Sequence, residues 1–308
     1  MSNLIQVTIL EQQEKEGIIL VIVTIFIAGT LPVITKYGTG LMNPLLFATL
    51  SSLIAGIFLL LLAIIQGKWR LLGEKRYFPF WLLIGFFGTT LSNICFFVGV
   101  TLTSGINSSI LLQVEPLYAL LIGYLFLKEK ITFKQIFFTL IIIWGTLVVI
   151  LYREEFKINW GDLLVLLTPL CWQIAHFFSK KLLTTSKEIT PQLIATARTF
   201  FGGIFLLILN ILVGFRMEGG LAAIKEIWWL LLFQGIIGFA LQHTLWYKVL
   251  QKLNLSKAVA LISAYPAFSI LLARLILKEV PDFYQLLGFG IIVLGIFGLS
   301  SVKSEQRE

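Results

Sequence analysis

The chain has 308 residues, of which 58% are hydrophobic and only 13% are charged, and its formal net charge is +8. Since about a quarter of the residues in a soluble domain are charged, this composition excludes an ordinary soluble protein and predicts a chain embedded in lipid. The positive charge does not indicate a nucleic-acid partner, because the basic residues lie in short loops between apolar runs.

The apolar runs predict an all-α integral membrane protein. A bilayer core of about 30 Å requires a helix of roughly 20 apolar residues. The polar N-terminal stretch lacks the features of a secretory signal, so we expect the first run to be a retained anchor. We predict ten transmembrane helices, at residues 17–37, 44–66, 78–100, 104–127, 132–152, 161–181, 190–213, 227–249, 256–277 and 283–302.

The second half of the chain repeats the first. Residues 111–145 recur as residues 261–295, and each copy is an apolar helix with a central proline, a Leu-Lys-Glu turn and a second apolar helix that ends in glycine. Weaker matches relate the other helices of the two halves. A long repeat in apolar sequence indicates two copies of one membrane unit. We therefore predict two five-helix repeats, residues 1–152 and 153–308, around a central cavity.

The distribution of lysine and arginine predicts the orientation. One side of the predicted membrane has 16 basic residues, including those of the turn at 128–134, and the other side has 6, including Lys278. The basic side is expected to be cytoplasmic, so both termini are predicted to lie inside the cell and the turn at 278–282 outside. Five helices per repeat is an odd number, so the second repeat is predicted to be inverted, as in many secondary transporters.

The fourth predicted helix contains a carboxylate beside its proline. Glu115 is eleven residues into this helix, which places it about 17 Å deep. A buried carboxylate must be protonated or paired, and ionisable groups within a membrane are functional by default. We predict that Glu115 exchanges a proton or binds a substrate amine. The alternative is a structural pair with an arginine such as Arg198, which could itself bind a substrate carboxylate or brace helices.

Further polar and aromatic side chains fall on several predicted helices and suggest one shared cavity, although such residues also link helices by hydrogen bonds. Pro116 and Pro266 occupy equivalent points of the two repeats, so we predict that they are hinges rather than static kinks. The two cysteines and two histidines lack metal-ligand spacing, and we expect no metal and no cofactor. Besides Glu115 and Arg198, the predicted cavity residues are Asn93, Tyr118, Trp172, His176, His243, Trp246 and Tyr265.

The repeated prolines and Leu-Lys-Glu turns resemble the EamA-type transporters of the drug/metabolite transporter superfamily. The first helix of that family carries a Trp-Gly pair seven residues before a lysine; here Gly29 and Lys36 match, but Ala28 replaces the tryptophan. The sixth helix keeps Trp172 and Lys180. The resemblance implies a multi-pass protein of the cell (inner) membrane, a monomer or homodimer, that transports small metabolites outward.

The predicted function is thus a secondary transporter that exports small molecules, such as amino acids or amphipathic amines and drugs, by alternating access. Its expected partners are the substrate, the lipid bilayer and protons. An enzyme is not expected, because the chain contains no HExxH, GxSxG or P-loop motif. The alternatives are a membrane receptor or assembly protein without transport, and an importer of a phosphorylated or sugar metabolite from the same superfamily.

Overall fold

The computed structural model describes residues 2–127, 132–151, 159–213, 220–253, 258 and 261–301. Lys128 and Glu129 of the first Leu-Lys-Glu turn, the predicted repeat junction at residue 152 and the basic residues Arg153 and Arg216 lie outside this part. The described residues form helices and contain no strand. The prediction of an all-helical membrane protein is therefore confirmed for them.

Among the described residues, eight helices are long and apolar enough to cross a membrane, and two shorter apolar helices follow them. The ten predicted spans therefore stay a prediction. In chain order the helices are α1 (Ser2–Thr39), α2 (Pro44–Ile65), α3 (Phe78–Leu102), α4 (Gly105–Phe126), α5 (Phe133–Leu151), α6 (Trp160–Thr185), α7 (Pro191–Leu212), α8 (Ile224–Lys252), α9 (Tyr265–Leu277) and α10 (Phe283–Ser301).

Helix α1 begins well before the predicted span. The polar stretch that precedes Gly17 continues the helix because it contains neither glycine nor proline and is rich in glutamate and glutamine, which are good helix formers. The start of α2 is set by Asn43, whose side chain accepts hydrogen bonds from the backbone N–H groups of Leu45 and Leu46. Pro44 follows at the first helical position, where a missing N–H has no cost.

Four helices contain local breaks in their regular hydrogen bonding. Helix α3 has a π-helical turn at Phe86–Leu91, and α8 has one at the corresponding place, Phe233–Leu241. Helix α9 ends in a third π-helical turn, Ala273–Leu277. Helix α4 contains a 3₁₀ turn, Leu112–Val114, directly before Glu115. Such turns are frequent where a helix bends or contributes to a functional site.

The helices pack in pairs that join the two halves of the chain. Helix α2 lies along α7, α3 along α6 and α7, and α5 along α10. Small residues allow the close approach: a Cβ atom added to Gly202 of α7 would lie 2.7 Å from the carbonyl oxygen of Gly85 in α3. Many large apolar side chains remain on the outside, including Trp144 and Phe297, which are 63% and 75% exposed. This outer surface suits contact with lipid.

Candidate functional site

A cavity lies among the helices, with about 680 Å³ of atom-free space, counting the part that opens to the exterior. It lies between helices of both halves of the chain. Of the nine residues predicted from the sequence, eight line it. They are Asn93, Glu115, Trp172, His176, Arg198, His243, Trp246 and Tyr265.

Tyr118 is the predicted residue that does not line this cavity; it is partly buried against the hydrophobic core. It follows Glu115 by three positions in the same α-helical segment, which turns it about 60° away from Glu115 around the helix axis. The sequence could not show how wide a face of this helix the cavity reaches. The other eight residues come together as predicted, and their role in substrate binding stays a prediction.

Glu115 is held by α6. Its side chain is 13% exposed, and its Oε1 atom accepts a hydrogen bond of 2.6 Å from Nε2 of Gln173. The same oxygen lies 3.8 Å from Nδ1 of His176. Glu115 is the first residue of the α-helical part of α4 that follows the 3₁₀ turn, and Pro116 comes next. The break in α4 thus places this carboxyl group at the cavity wall.

Arg198 of α7 is 3% exposed and anchored by three neighbours. Its Nε atom donates to the carbonyl oxygen of Gly88, in the π-helical turn of α3, at 2.9 Å. Its Nη1 atom donates to the hydroxyl group of Tyr247 at 3.2 Å and lies 3.3 Å from Nε2 of His176. Among the described residues, the basic side chain that lies 3.8 Å from the Glu115 carboxyl group belongs to His176 and not to Arg198. The direct Glu115–Arg198 pair, one of the alternatives from the sequence, is therefore not formed in this structure.

The two histidines line the same cavity in different ways. Nε2 of His176 accepts a hydrogen bond of 3.2 Å from Nε1 of Trp246. The ring of His243 stacks on Phe239 at a centroid distance of 5.6 Å and an interplanar angle of 11°. In each imidazole, Nδ1 is buried without a hydrogen-bond partner among the described residues. Each of these two cavity-lining rings thus has one buried nitrogen whose hydrogen-bonding capacity the described residues do not use.

The remaining lining is largely aromatic and apolar. Phe96 packs against Trp172 with ring centroids 6.5 Å apart, and Asn93 donates through Nδ2 to the hydroxyl group of Ser52 at 3.1 Å. No group of three or more His, Cys, Asp or Glu side chains in the described part of the chain could hold a metal ion. An apolar, aromatic wall with a few convergent polar groups is typical of a site for a small organic molecule.

Sequence reasoning did not single out Gln173, although this residue makes the shortest polar contact of Glu115. The signal was present, because Gln173 precedes His176 by three positions, and residues at that spacing lie near each other on a helix. Tyr265 lies at the start of the α-helical part of α9, with Pro266 next to it. Both predicted hinge prolines therefore stand where an α-helical segment begins, and the hinge role stays a prediction.

A second polar cluster, which we call the end clamp, surrounds the connection between α3 and α4. Nζ of Lys36 donates to the carbonyl oxygens of Val100, Thr101 and Thr103 at 2.9, 3.2 and 2.6 Å. The carboxylate of Glu279 accepts from the backbone N–H groups of Gly105 and Ile106 at 3.0 and 2.9 Å. A cation thus binds the C-terminal end of α3, and an anion binds the N-terminal end of α4, as the helix dipoles favour.

Three further contacts attach the same connection to its surroundings. The hydroxyl group of Thr103 donates to Asp162 of α6. Nδ2 of Asn159 donates to the carbonyl oxygen of Leu102 at 2.9 Å, and Nε2 of Gln285 in α10 donates to Oδ1 of Asn107 at 2.7 Å. Counted along α3, α4 and α6 at a helical rise of about 1.5 Å per residue, these contacts are about 10–15 Å from the cavity-lining residues of the same helices. The end clamp therefore ties together one end of the bundle.

Comparison with known proteins relates the whole arrangement to membrane transporters. The chain is 26% identical over 266 residues to an uncharacterized transporter of Archaeoglobus fulgidus, which covers 85% of this chain and 90% of that protein. It is 25% identical over 288 residues to the uncharacterized transporter YetK of Bacillus subtilis, covering 92% and 86%. A probable terminal-alkyne amino-acid exporter of Streptantibioticus cattleyicolor is 25% identical over 191 residues, which are 62% of each chain.

A solved crystal structure has the same fold, with a TM-score of 0.67 and 17% sequence identity, covering 92% of this chain and 96% of that one. The model of the EamA-like transporter family matches residues 15–151 and again residues 159–301. The family resemblance predicted from the prolines and the Leu-Lys-Glu turns is confirmed. With two matches that together span most of its length, this multi-pass membrane protein belongs to the EamA-like transporter family.

Proposed function

We propose that this protein is a secondary transporter of the cell membrane that exports small metabolites such as amino acids or amphipathic amines. The observation that carries the proposal is the cavity between the two halves of the chain, where Glu115, Arg198 and the two histidines line a largely aromatic space. The name of the Streptantibioticus relative, a probable terminal-alkyne amino-acid exporter, supports the direction and the substrate class.

The charges of the cavity lining favour molecules with both a donor and an acceptor group. The described lining contains one carboxyl group, of Glu115, and one guanidinium group, of Arg198. A guanidinium binds carboxylates well, and a carboxylate binds ammonium groups. The tryptophans Trp172 and Trp246 provide apolar area for a side chain or an aromatic ring. An amino acid or an amine with a polar substituent fits this combination.

We further propose that the chain consists of two inverted five-helix repeats, residues 1–152 and 153–308, with ten spans and both termini in the cytoplasm. The two family matches have similar lengths and lie on either side of the proposed junction. The excess of basic residues supports the orientation. Single cysteines at Lys75 and Val280 should then react with an impermeant maleimide from opposite sides of the membrane. Reaction from the same side would contradict the inverted arrangement.

Alternating access requires that each end of the bundle close in turn. In this structure the end clamp joins α1, α3, α4, α6 and the turn between α9 and α10. In the proposed orientation this end is external, so the structure corresponds to an externally closed state. The opposite end has an exposed ion pair between Lys252 and Glu16 at 2.5 Å, and such exposed pairs contribute little. We propose that Pro116 and Pro266 let α4 and α9 bend when the clamp opens.

The direct test is transport by purified protein in proteoliposomes. A panel of labelled amino acids and amines is offered with and without a pH gradient, and Glu115→Gln protein serves as the comparison. Saturable movement of a panel member by the parent, together with its loss in the variant, supports the proposal. If well-folded protein shows no saturable transport of any amino acid or amine in the panel, the proposed substrate class is contradicted.

The alternatives are less well supported by the cavity. An importer of phosphorylated metabolites needs several cations for a phosphate group, and the described lining provides one guanidinium beside a carboxyl group. An assembly protein without transport would not need a polar cavity shared by both halves of the chain, whereas a receptor that binds a small molecule is distinguished by the absence of movement in the transport assay. Phosphorylated sugars belong in the same transport panel, so the importer is tested in the same experiment.

A further inference from the structure

The imidazole of His176 lies between two groups that can only donate hydrogen bonds. Nε1 of Trp246 is 3.2 Å from its Nε2 atom, and Nη1 of Arg198 is 3.3 Å from the same atom. The indole N–H and the guanidinium have no lone pair with which to accept a hydrogen bond. Nε2 must therefore be the acceptor, and it cannot carry a hydrogen atom.

This geometry determines where the hydrogen of a neutral imidazole is. Of the two ring nitrogens of a neutral histidine, one is a donor and the other an acceptor. With Nε2 as the acceptor, the hydrogen lies on Nδ1. A doubly protonated ring is excluded at this position, because an N–H at Nε2 would point at the donors of Trp246 and Arg198. We assign His176 to the Nδ1–H tautomer on this basis.

The Nδ1 atom of His176 has no hydrogen-bond partner among the described residues, and it lies 3.8 Å from Oε1 of Glu115. A hydrogen bond does not form at 3.8 Å. One oxygen atom can nevertheless lie within about 2.8 Å of both atoms and bridge them. The structure thus contains a fixed N–H donor close to a carboxyl group. Both residues line the cavity, but the Nδ1 atom itself is covered, so a bridging oxygen reaches it once the neighbouring side chains shift.

We propose that Trp246 and Arg198 lock His176 in the Nδ1–H tautomer, and that His176 is a positioning residue for Glu115 and for the substrate group bound between them. That group must accept a hydrogen bond from Nδ1. A hydroxyl group of the substrate fits, because its oxygen can accept from Nδ1 and donate to Glu115. A protonated or quaternary ammonium group has no lone pair for Nδ1, so a substrate ammonium group must reach Glu115 from another side. The substrate part of the proposal rests on the proposed function; the tautomer does not depend on it.

The chain is well suited to a direct measurement, because it contains only two histidines. Protein labelled with ¹⁵N in the imidazole rings gives two sets of ring-nitrogen signals, and His243→Asn identifies the set that belongs to His176. The expected spectrum of the parent shows a protonated Nδ1 and an unprotonated Nε2 for His176 without added substrate. Trp246→Phe removes one donor and keeps an aromatic ring, so the fraction with Nε2–H should rise severalfold. A parent spectrum with hydrogen on Nε2, or no change in Trp246→Phe, would overturn the tautomer lock.

A second measurement tests the positioning of Glu115. The infrared difference between the parent and Glu115→Gln identifies the absorption of this carboxyl group. In His176→Asn, the amide nitrogen stands at about the place of Nδ1 and keeps the donor, whereas the amide nitrogen of His176→Gln stands at about the place of Nε2. Although no hydrogen bond forms at 3.8 Å, the N–H dipole still acts on the carboxyl group through its electric field. The Glu115 band should therefore keep its frequency in the Asn variant and shift in the Gln variant. An equal shift in both variants would overturn the positioning role of His176. Such a result would leave the proposed transport function untouched, because transport by the parent is measured separately.

Discussion

Replacement of Glu279 by glutamine should open the end of the bundle that the end clamp closes. The parent carboxylate accepts hydrogen bonds from two backbone N–H groups, those of Gly105 and Ile106. In Glu279→Gln one of the two carboxylate oxygens is replaced by an amide N–H group, which cannot accept a hydrogen bond from the backbone N–H that it faces. The substitution also removes the negative charge at the start of α4. The contacts of Lys36 with the end of α3 remain.

The magnitude follows from the type of hydrogen bond. A hydrogen bond to a charged group contributes about 1.5–3 kcal/mol, and the half-buried position of Glu279 favours the lower end of this range. A loss of about 1.4 kcal/mol changes an equilibrium constant tenfold. We therefore expect the population of the externally open state to rise roughly tenfold in Glu279→Gln.

The assay measures access to the cavity from the external side. A cysteine at Ala28, which lines the cavity, is allowed to react with an impermeant maleimide in a background without the two native cysteines. The rate should rise by roughly the same factor as the open population. Asp282→Asn is the matched control, because Asp282 lies in the same turn but accepts its hydrogen bond from the backbone of Gln285. An unchanged rate in Glu279→Gln, or an equal increase in Asp282→Asn, would refute the reasoning.

Three other changes test the cavity, the hinges and the packing. Glu115→Gln keeps the size of the side chain and should leave folding largely intact, while transport falls sharply or loses its pH dependence; a parental rate and pH profile would exclude a role for the charge. Pro116→Ala and Pro266→Ala should shift cavity access from the two sides in opposite directions, and unchanged access in both would make these prolines static kinks. Gly202→Ala should lower the free energy of unfolding by about 1–3 kcal/mol, because the added Cβ atom would overlap with Thr89 of α3. Gly290→Ala is the control in the same thermal-unfolding experiment, because there is open space around Gly290.

The sequence alone was sufficient for the membrane class and for the family. Apolar runs of about 20 residues have few alternatives to transmembrane helices, since backbone polar groups in lipid must be satisfied within the segment. Intramembrane polar residues are costly unless they face protein or a cavity. On this basis the sequence suggested nine cavity residues, and eight of them, all but Tyr118, line the cavity. The repeat and the prolines pointed to the family that the comparison confirmed.

The tertiary structure decided which of these residues touch each other. The sequence allowed a direct pair between Glu115 and Arg198, but the structure places Gln173 and His176 beside the carboxyl group and attaches Arg198 to Gly88 and Tyr247. Helical periodicity gives the face on which a side chain lies; it does not give the rotation and depth at which two distant helices meet.

The end clamp depends on the same information. Lys36 and Glu279 are far apart in the chain, and although each belongs to a motif that the sequence shows, neither motif indicates what its side chain contacts. Their partners are mostly backbone groups, which every residue possesses and which no sequence motif can identify. Only the folded bundle brings the Lys36 ammonium group to the C-terminal carbonyl groups of α3 and the Glu279 carboxylate to the N-terminal N–H groups of α4. The helix dipoles favour these contacts, but the contacts form only when the helices are packed in this arrangement.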